Sequence, residues 1–145
     1  MKRLIYFMCL CLLFTLNANA QDNNQQMFID TLNHFRIENG LNPVKYCQEL
    51  TDLAQKHCDY LVKYNNNQHI IIRKHSLYGK IENLDSWEKQ ADDIPTYVKD
   101  FERWFESPNH KNNMLMNVTR VGYANSTLKI VGTKKTYIFS TLLLE

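Results

Sequence analysis

The stretch ELTDLAQKHCDYL, residues 49–61, gives the strongest structural signal in the chain. Its mainly apolar positions follow the spacing i, i+3, i+4, i+7, i+8 and i+11, which is typical of a helix that buries one face. These positions are Leu50, Leu53, Ala54, His57, Cys58 and Leu61. The pattern predicts a helix packed against the rest of the protein, with His57 as a core residue.

Helical patterns also lie on either side of this segment. Apolar residues from Met27 onward recur at spacings of three and four, and this helix should end at Gly40, a favoured C-terminal residue. The polar lead-in QDNNQQ before it is expected to be disordered at its start. A tight link, GLNPVKY, joins this helix to the next, and NHFRIENGL closes the first helical unit.

Two more helices are predicted in the second half of the chain. One runs from about Pro95, a residue favoured at a first helical position, and presents a wide aromatic face that is best explained by core packing. Ser107 then acts as N-cap and Pro108 opens a short helix. This arrangement places His110 in the first turn of that helix.

The remaining regular segments are β-prone. HIIIR and SLYGKIENL are two short pieces, and Gly79 weakens the second. VTRVGYANS and TYIFSTLLL are longer, and VGTKK between them contains a turn glycine, so the pair should be antiparallel. Helices packed on a small, mainly antiparallel sheet make an α+β domain built in layers.

The first twenty residues, MKRLIYFMCLCLLFTLNANA, read as a cleaved signal peptide. Lys2 and Arg3 precede an apolar run that is shorter than the roughly 20 residues that span a bilayer, and Ala-Asn-Ala ends the stretch as a cleavage site. We expect a mature protein that begins at Gln21 and forms one domain over residues 21–145. It contains no transmembrane pattern and is predicted to be secreted, either to the periplasm or to the outside of the cell.

The charge balance of the mature chain gives no sign of a polyanionic partner. Without Lys2 and Arg3 the basic residues number fifteen, equal to the fifteen acidic residues. We therefore expect neither nucleic acid nor an anionic membrane as partner. The oligomeric state is left open.

Two of the four cysteines, Cys47 and Cys58, remain after cleavage. In one helical pattern their separation is about 16 Å, whereas a disulfide requires Cα atoms within about 7 Å. We predict two free thiols on one buried helix face. The same distance argues against a shared metal.

The histidines offer the main candidate chemistry. His34 and His69 lack an acidic or cysteine neighbour at ligand spacing, whereas His75 and His110 each open a segment that fixes the local backbone. Motifs for a serine nucleophile and for a helical zinc protease are absent, and the two cysteines read as buried and inert. What remains is two histidines and the carboxylate of Glu82, a set that could hold Zn²⁺ with an open position.

The order of several short motifs indicates a known protein family. The motifs follow one another along the chain in this order: NHFRIENGLNPV, ELTDLAQKHCDYL, HSLYGKIENL, a tryptophan, SPNHKNNML, RVGYA and YIFSTLLL. Together they resemble the CAP superfamily, named for cysteine-rich secretory proteins, antigen 5 and pathogenesis-related proteins, and most closely its bacterial SCP-like members. The resemblance covers essentially the whole mature chain.

The resemblance implies a three-layer α-β-α sandwich with a central cleft. By position, the residues that converge in that cleft are His75, Glu82 and His110. Some members of the family bind a divalent metal there, and others bind sterols or fatty acids in apolar grooves. Two positions depart from the family. Ile81 stands where a glycine normally precedes the glutamate, and Ser107 stands where many members have a glutamate as the fourth cleft residue.

Three functional hypotheses stay open on the sequence. The first is a non-catalytic binding module whose cleft takes a metal such as Zn²⁺, a small molecule or a lipid. The second is a metal-dependent hydrolase with His75 and His110 as ligands and Glu82 as base or third ligand. The third is a purely structural hydrogen-bonded network of the same residues. We favour the first, because the trio is present and a nucleophile is not.

Overall fold

The computed structural model of the chain describes residues 23–64 and 80–145. Within them, helix α1 covers residues 23–38. The other elements, in chain order, are β1 (Lys45–Tyr46), α2 (Gln48–Tyr64), β2 (Ile81–Lys89), α3 (Thr96–Glu106), α4 (Pro108–Met114), β3 (Arg120–Lys129) and β4 (Thr136–Leu144). The predicted signal peptide, the HIIIR segment, His69, His75 and Gly79 lie outside the described residues.

The four strands form one mixed sheet in the order β1-β3-β4-β2. Strands β2 and β4 are antiparallel, as are β3 and β4, while the two-residue β1 runs parallel to β3. Strand β4 is therefore central and β2 lies at one edge. Helices cover both faces of this sheet, which gives the expected α-β-α sandwich.

Alternation along the strands divides the core into two sides. In β4, Leu142 and Leu144 pack into the larger cluster with α1, α3 and α4, whereas Leu143 between them packs with α2. Successive side chains of a strand point to opposite faces, so β4 is apolar on both. This explains why TYIFSTLLL is a nearly continuous hydrophobic run: the strand is covered on both sides.

Helix α2 lies directly on β3 at Gly122. A Cβ atom at this position would be 2.3 Å from the backbone carbon of Leu50 and from the backbone nitrogen of Thr51. Only a residue without a side chain permits this approach. The glycine thus sets how closely α2 and its side chains lie on the sheet.

A buried arginine holds together the helical layer on the other face of the sheet, which contains α1 and α4. Arg36 of α1 is almost fully buried, and its guanidinium donates to the carbonyl oxygens of Asn42, Met114 and Met116 at 2.8–3.0 Å, with a longer bond to Val118. Its five N–H groups suit such a set of acceptors. The contact joins α1 to the segment that leads from α4 into β3.

A buried carboxylate joins α3 to the sheet. Asp100 accepts hydrogen bonds from Trp87 Nε1 at 2.7 Å and from Tyr123 OH at 2.6 Å. Burial raises its pKa to about 6, although these donors act in the opposite direction. The nearby hydroxyl of Ser140 also lowers this pKa.

Most predicted elements are confirmed, and several details differ from the prediction. The link GLNPVKY contains strand β1, and β2 continues five residues beyond the predicted segment, to Lys89. Pro95 is the N-cap of α3 and not its first helical residue, and Ser107 occupies the N-cap position of α4 without a side-chain capping bond. Helix α1 begins at residue 23, inside the predicted polar lead-in, whereas the start of that lead-in, residues 21 and 22, lies outside the described residues.

Cys47 and Cys58 are both free thiols, as predicted. The prediction that both lie on one buried helix face is wrong for Cys47, which precedes α2 and is only partly buried, whereas Cys58 is fully buried on the helix. Each packs against the same small apolar cluster beneath α2.

Candidate functional site at the edge strand

Glu82, the second residue of β2, is paired with a histidine of α2. The Nδ1 atom of His57 lies 2.8 Å from Oε1 of Glu82. The two side chains retain 6% and 16% of their exposure respectively, so the pair is at the rim of the core and the carboxylate is the more accessible partner. The interpretation of His57 as a core residue is confirmed for its burial, but it missed this partner.

Helix α4 reaches the same strand from the side that does not pair with β4. The side-chain amide of Asn113 donates to the backbone carbonyl of Glu82 at 3.2 Å and to Oδ1 of Asn83 at 2.9 Å. In return, Asn83 donates to the backbone carbonyl of His110 at 2.9 Å. Asn83 is fully buried, so these bonds fix the position of α4 against the start of β2.

His110 is placed near this edge by its helix. It precedes Asn113 by three residues, and residues three apart share a helix face. Burial lowers the pKa of His110, and the negative charge of Asp85 on β2 partly opposes that effect. A lowered pKa favours the neutral imidazole at neutral pH, which is the form that can bind a metal or accept a proton.

Asp85 is itself engaged by another helix. Its two carboxylate oxygens form an ion pair with the guanidinium of Arg103 in α3. Strand alternation puts Asp85 and Asn83 on the face of α3 and α4, whereas Glu82 points to the face of α2. Glu82 and His110 therefore flank β2 from its two sides.

The predicted cleft residues are thus only partly accounted for. Glu82 and His110 lie at one edge of β2, Ser107 lies at the junction of α3 and α4, and His75 falls outside the described residues. Within residues 23–64 and 80–145, no three histidine, cysteine, aspartate or glutamate side chains gather closely enough to hold a metal ion. The trio itself includes His75, so it stays a prediction.

The described cysteines do not provide a nucleophile at this edge. Cys58 donates to the carbonyl oxygen of Ala124 and to the hydroxyl of Thr141, on the strands beneath α2. Desolvation by burial raises the pKa of its thiol to about 12. The thiolate form that nucleophilic chemistry requires is therefore scarce at neutral pH.

The sandwich, the edge-strand glutamate and the helix that carries His110 agree with one known family. A family model described as "CAP: Cysteine-rich secretory protein family" matches residues 29–134. The chain belongs to the CAP family. A search of the curated proteins finds no match.

Two solved structures are similar to this CAP domain. The crystal structure of MpPR-1i superposes with a TM-score of 0.59 at 13% identity, over 83% of this chain and 84% of that one. An outer surface protein from Borrelia burgdorferi gives a TM-score of 0.55 at 16% identity, over 86% of this chain and 94% of that one. At these identities the two structures show the fold alone, and the bacterial SCP-like branch stays a prediction.

Sequence reasoning missed two kinds of contributor to the edge. Asn113 could have been found, because it follows His110 by three residues and so shares its helix face. The pairing of His57 had a weaker signal: a histidine on a buried helix face needs a polar partner, but sequence alone does not say which acid supplies it. For the described residues, we find no helix long and apolar enough to cross a membrane.

Proposed function

We propose that this CAP domain is a secreted, non-catalytic binding module that takes a divalent metal ion at the free edge of β2, with His75, Glu82 and His110 as ligands. The observation that carries the proposal is that α4 is held against the start of β2: the amide of Asn83 donates to the backbone carbonyl of His110, and that of Asn113 donates to the backbone carbonyl of Glu82. His75 is seven residues from Glu82 in the sequence, so it is close enough along the chain to reach the same edge.

The described residues fit part of such a site. The lowered pKa of His110 favours its ligating form, and the carboxylate of Glu82 retains access to solvent. One oxygen of Glu82 already accepts from His57, which leaves the other for an ion. A bound ion would supply Lewis acidity and an anchor for anionic groups.

Titration with Zn²⁺ in a calorimeter at neutral pH tests the proposal on the mature chain. We expect modest affinity, which is lost in His75→Ala and in His110→Ala, because three ligands from separate segments form an open site. Binding should also fade as the pH falls through the histidine range, since a protonated imidazole cannot ligate. His34→Ala is the matched control, because His34 is exposed and pairs only locally with Glu38.

Three results would count against the proposal. Unchanged Zn²⁺ binding in both histidine variants would place the ion elsewhere. No Zn²⁺ binding by the wild type would show that the proposed metal site does not exist. Turnover in a peptide or ester screen, abolished by His110→Ala in a folded variant, would establish the hydrolase hypothesis in its place.

Secretion is tested separately by intact mass. Expression of the full chain in a secreting host should yield a protein that begins at Gln21 and reacts with alkylating agent at two thiols once unfolded. A product that retains residues 1–20 would make that segment an anchor.

A further inference from the structure

We propose that His57 is the positioning residue of this cleft: through Nδ1 it holds Oε1 of Glu82, and thereby sets Oε2 as the atom that Glu82 offers to a ligand. This inference rests on the proposed function, because it specifies how one member of the metal site is aimed. It concerns a helix α2 residue that lies outside the trio predicted from the sequence.

The first argument is the geometry of the pair. The Nδ1–Oε1 distance of 2.8 Å is that of a strong, charge-assisted hydrogen bond. A carboxylate has no proton to give, so Nδ1–H is the donor. The bond engages one named oxygen of Glu82, and within residues 23–64 and 80–145 the side chain of Glu82 has no other polar contact.

The second argument is the rigidity of the support. His57 is buried on α2, and α2 is held on the sheet by the close approach at Gly122. Glu82 is held by its strand and by the Asn113 bond to its backbone carbonyl. Two fixed elements thus aim the carboxylate, and a hydrogen-bonded partner of this kind typically changes metal affinity by about 10- to 100-fold.

The third argument is the local backbone. Ile81 precedes Glu82, where the family resemblance leads one to expect a glycine, so this chain lacks the backbone freedom that glycine would give. Ile81 instead packs against the cluster beneath α1 and α3, opposite to the direction of Glu82. The side-chain bond to His57 therefore fixes the carboxylate from the α2 side.

The test compares two substitutions of similar size. His57→Asn keeps an amide donor near the position of Nδ1, whereas His57→Leu fills the space without a donor. We expect His57→Leu to weaken Zn²⁺ binding at least about 10-fold and His57→Asn to stay within about 3-fold of the wild type. In a Glu82→Gln background the two variants should bind alike. If His57 has a purely structural role, the Zn²⁺ affinity of each variant should follow its thermal stability, and His57→Asn should not restore the affinity.

A second readout separates this inference from the proposed function. The carboxyl carbon resonance of Glu82 should shift in His57→Leu and return towards the wild-type position in His57→Asn, with or without metal. If the wild type binds no Zn²⁺, the proposed function fails and this resonance alone decides on His57. Equal affinities in all three proteins, or a resonance that His57→Leu leaves in place, would overturn the inference.

Discussion

Asp100 and Glu82 are two of the carboxylates at strand β2, and their surroundings differ in nearly every respect. Asp100 reaches the strand from α3, is completely buried and accepts from an indole and a phenol. Glu82 belongs to the strand, lies at its open edge and accepts from one imidazole. One strand thus contributes to a structural contact at its far end and to a candidate binding site at its start.

The difference teaches how to separate a structural acid from a functional one. Burial raises the pKa of Asp100 to about 6, so its charge is held at a cost to the folded state. Two donors fill its oxygens and solvent does not reach it, which leaves no room for a ligand. Glu82 remains partly exposed, and only one of its oxygens is held, by His57. The other oxygen can therefore bind a ligand that exchanges with solvent.

The largest effect is expected from Asp100→Ala. Removal of the carboxylate leaves the indole of Trp87 and the hydroxyl of Tyr123 buried without an acceptor, at roughly 2–6 kcal/mol for the two groups. Urea denaturation should show this loss. The exposed Asp92 provides the control, because Asp92→Ala should change the free energy of unfolding by less than about 0.5 kcal/mol. A loss below about 1 kcal/mol for Asp100→Ala would refute the structural role.

The next effect is a dependence of stability on pH. The folded pKa of Asp100, about 6, is above the ordinary value of 3.8 for this carboxyl group, so the folded state binds the proton more tightly. The contribution is fully present below the unfolded pKa and is lost as the pH rises through 6, by up to about 3 kcal/mol. The wild type should therefore lose more stability between pH 4 and 7 than Asp100→Asn does.

Glu82→Gln serves as the control for this pH dependence, because it leaves Asp100 in place. Identical pH profiles for the wild type and Asp100→Asn would show that Asp100 does not titrate in this range.

A smaller effect is expected from Gly122→Ala, which acts on one side of the comparison alone. The added methyl group collides with the backbone of α2 at Leu50 and Thr51 and should cost about 1–3 kcal/mol. Displacement of α2 separates His57 from Glu82, so Zn²⁺ affinity should fall while the tryptophan fluorescence, which comes from the buried Trp87 and Trp104, stays unchanged. Thr127→Ala, exposed on the same strand, is the control.

The smallest effect on stability is expected from Glu82→Gln. The amide oxygen can still accept from His57, so the thermal midpoint should change by the equivalent of less than about 1 kcal/mol. Metal binding, by contrast, should be lost. Glu38→Gln is a matched control, because Glu38 pairs with the exposed His34 at 3.2 Å. A large loss of stability in Glu82→Gln would make Glu82 a second structural acid.

Much of the fold could be predicted because its signals are local and periodic. The spacing of Leu50, Ala54, Cys58 and Leu61 predicts α2 and its buried face, and all four are buried. Gly132, at φ 80°, forms the turn expected between β3 and β4. Strand β1 escaped prediction because its two residues form a strand only through pairing with β3, about 75 residues later in the chain.

The site was less predictable because its contacts join distant segments. The resemblance to the CAP family indicated Glu82 and His110, and the structure holds the helix that carries His110 against the start of the strand that carries Glu82. It could not indicate that Glu82 would accept from His57, since that bond depends on how α2 lies across the sheet at Gly122. The burial of Asp100 could not be predicted, because an acid in an amphipathic helix such as α3 normally lies on the solvent-exposed face.

The bond from Asn113 to the carbonyl of Glu82 also has a consequence for self-association. An edge strand offers unpaired backbone groups that can recruit a strand from another molecule. Asn113 occupies one such acceptor at the start of β2, and the lysines at positions 80 and 89 stand at the two ends of the strand. A second copy would have to displace an amide and bring like charges together to extend the sheet in register. The same helix that presents His110 thus protects this edge against aggregation.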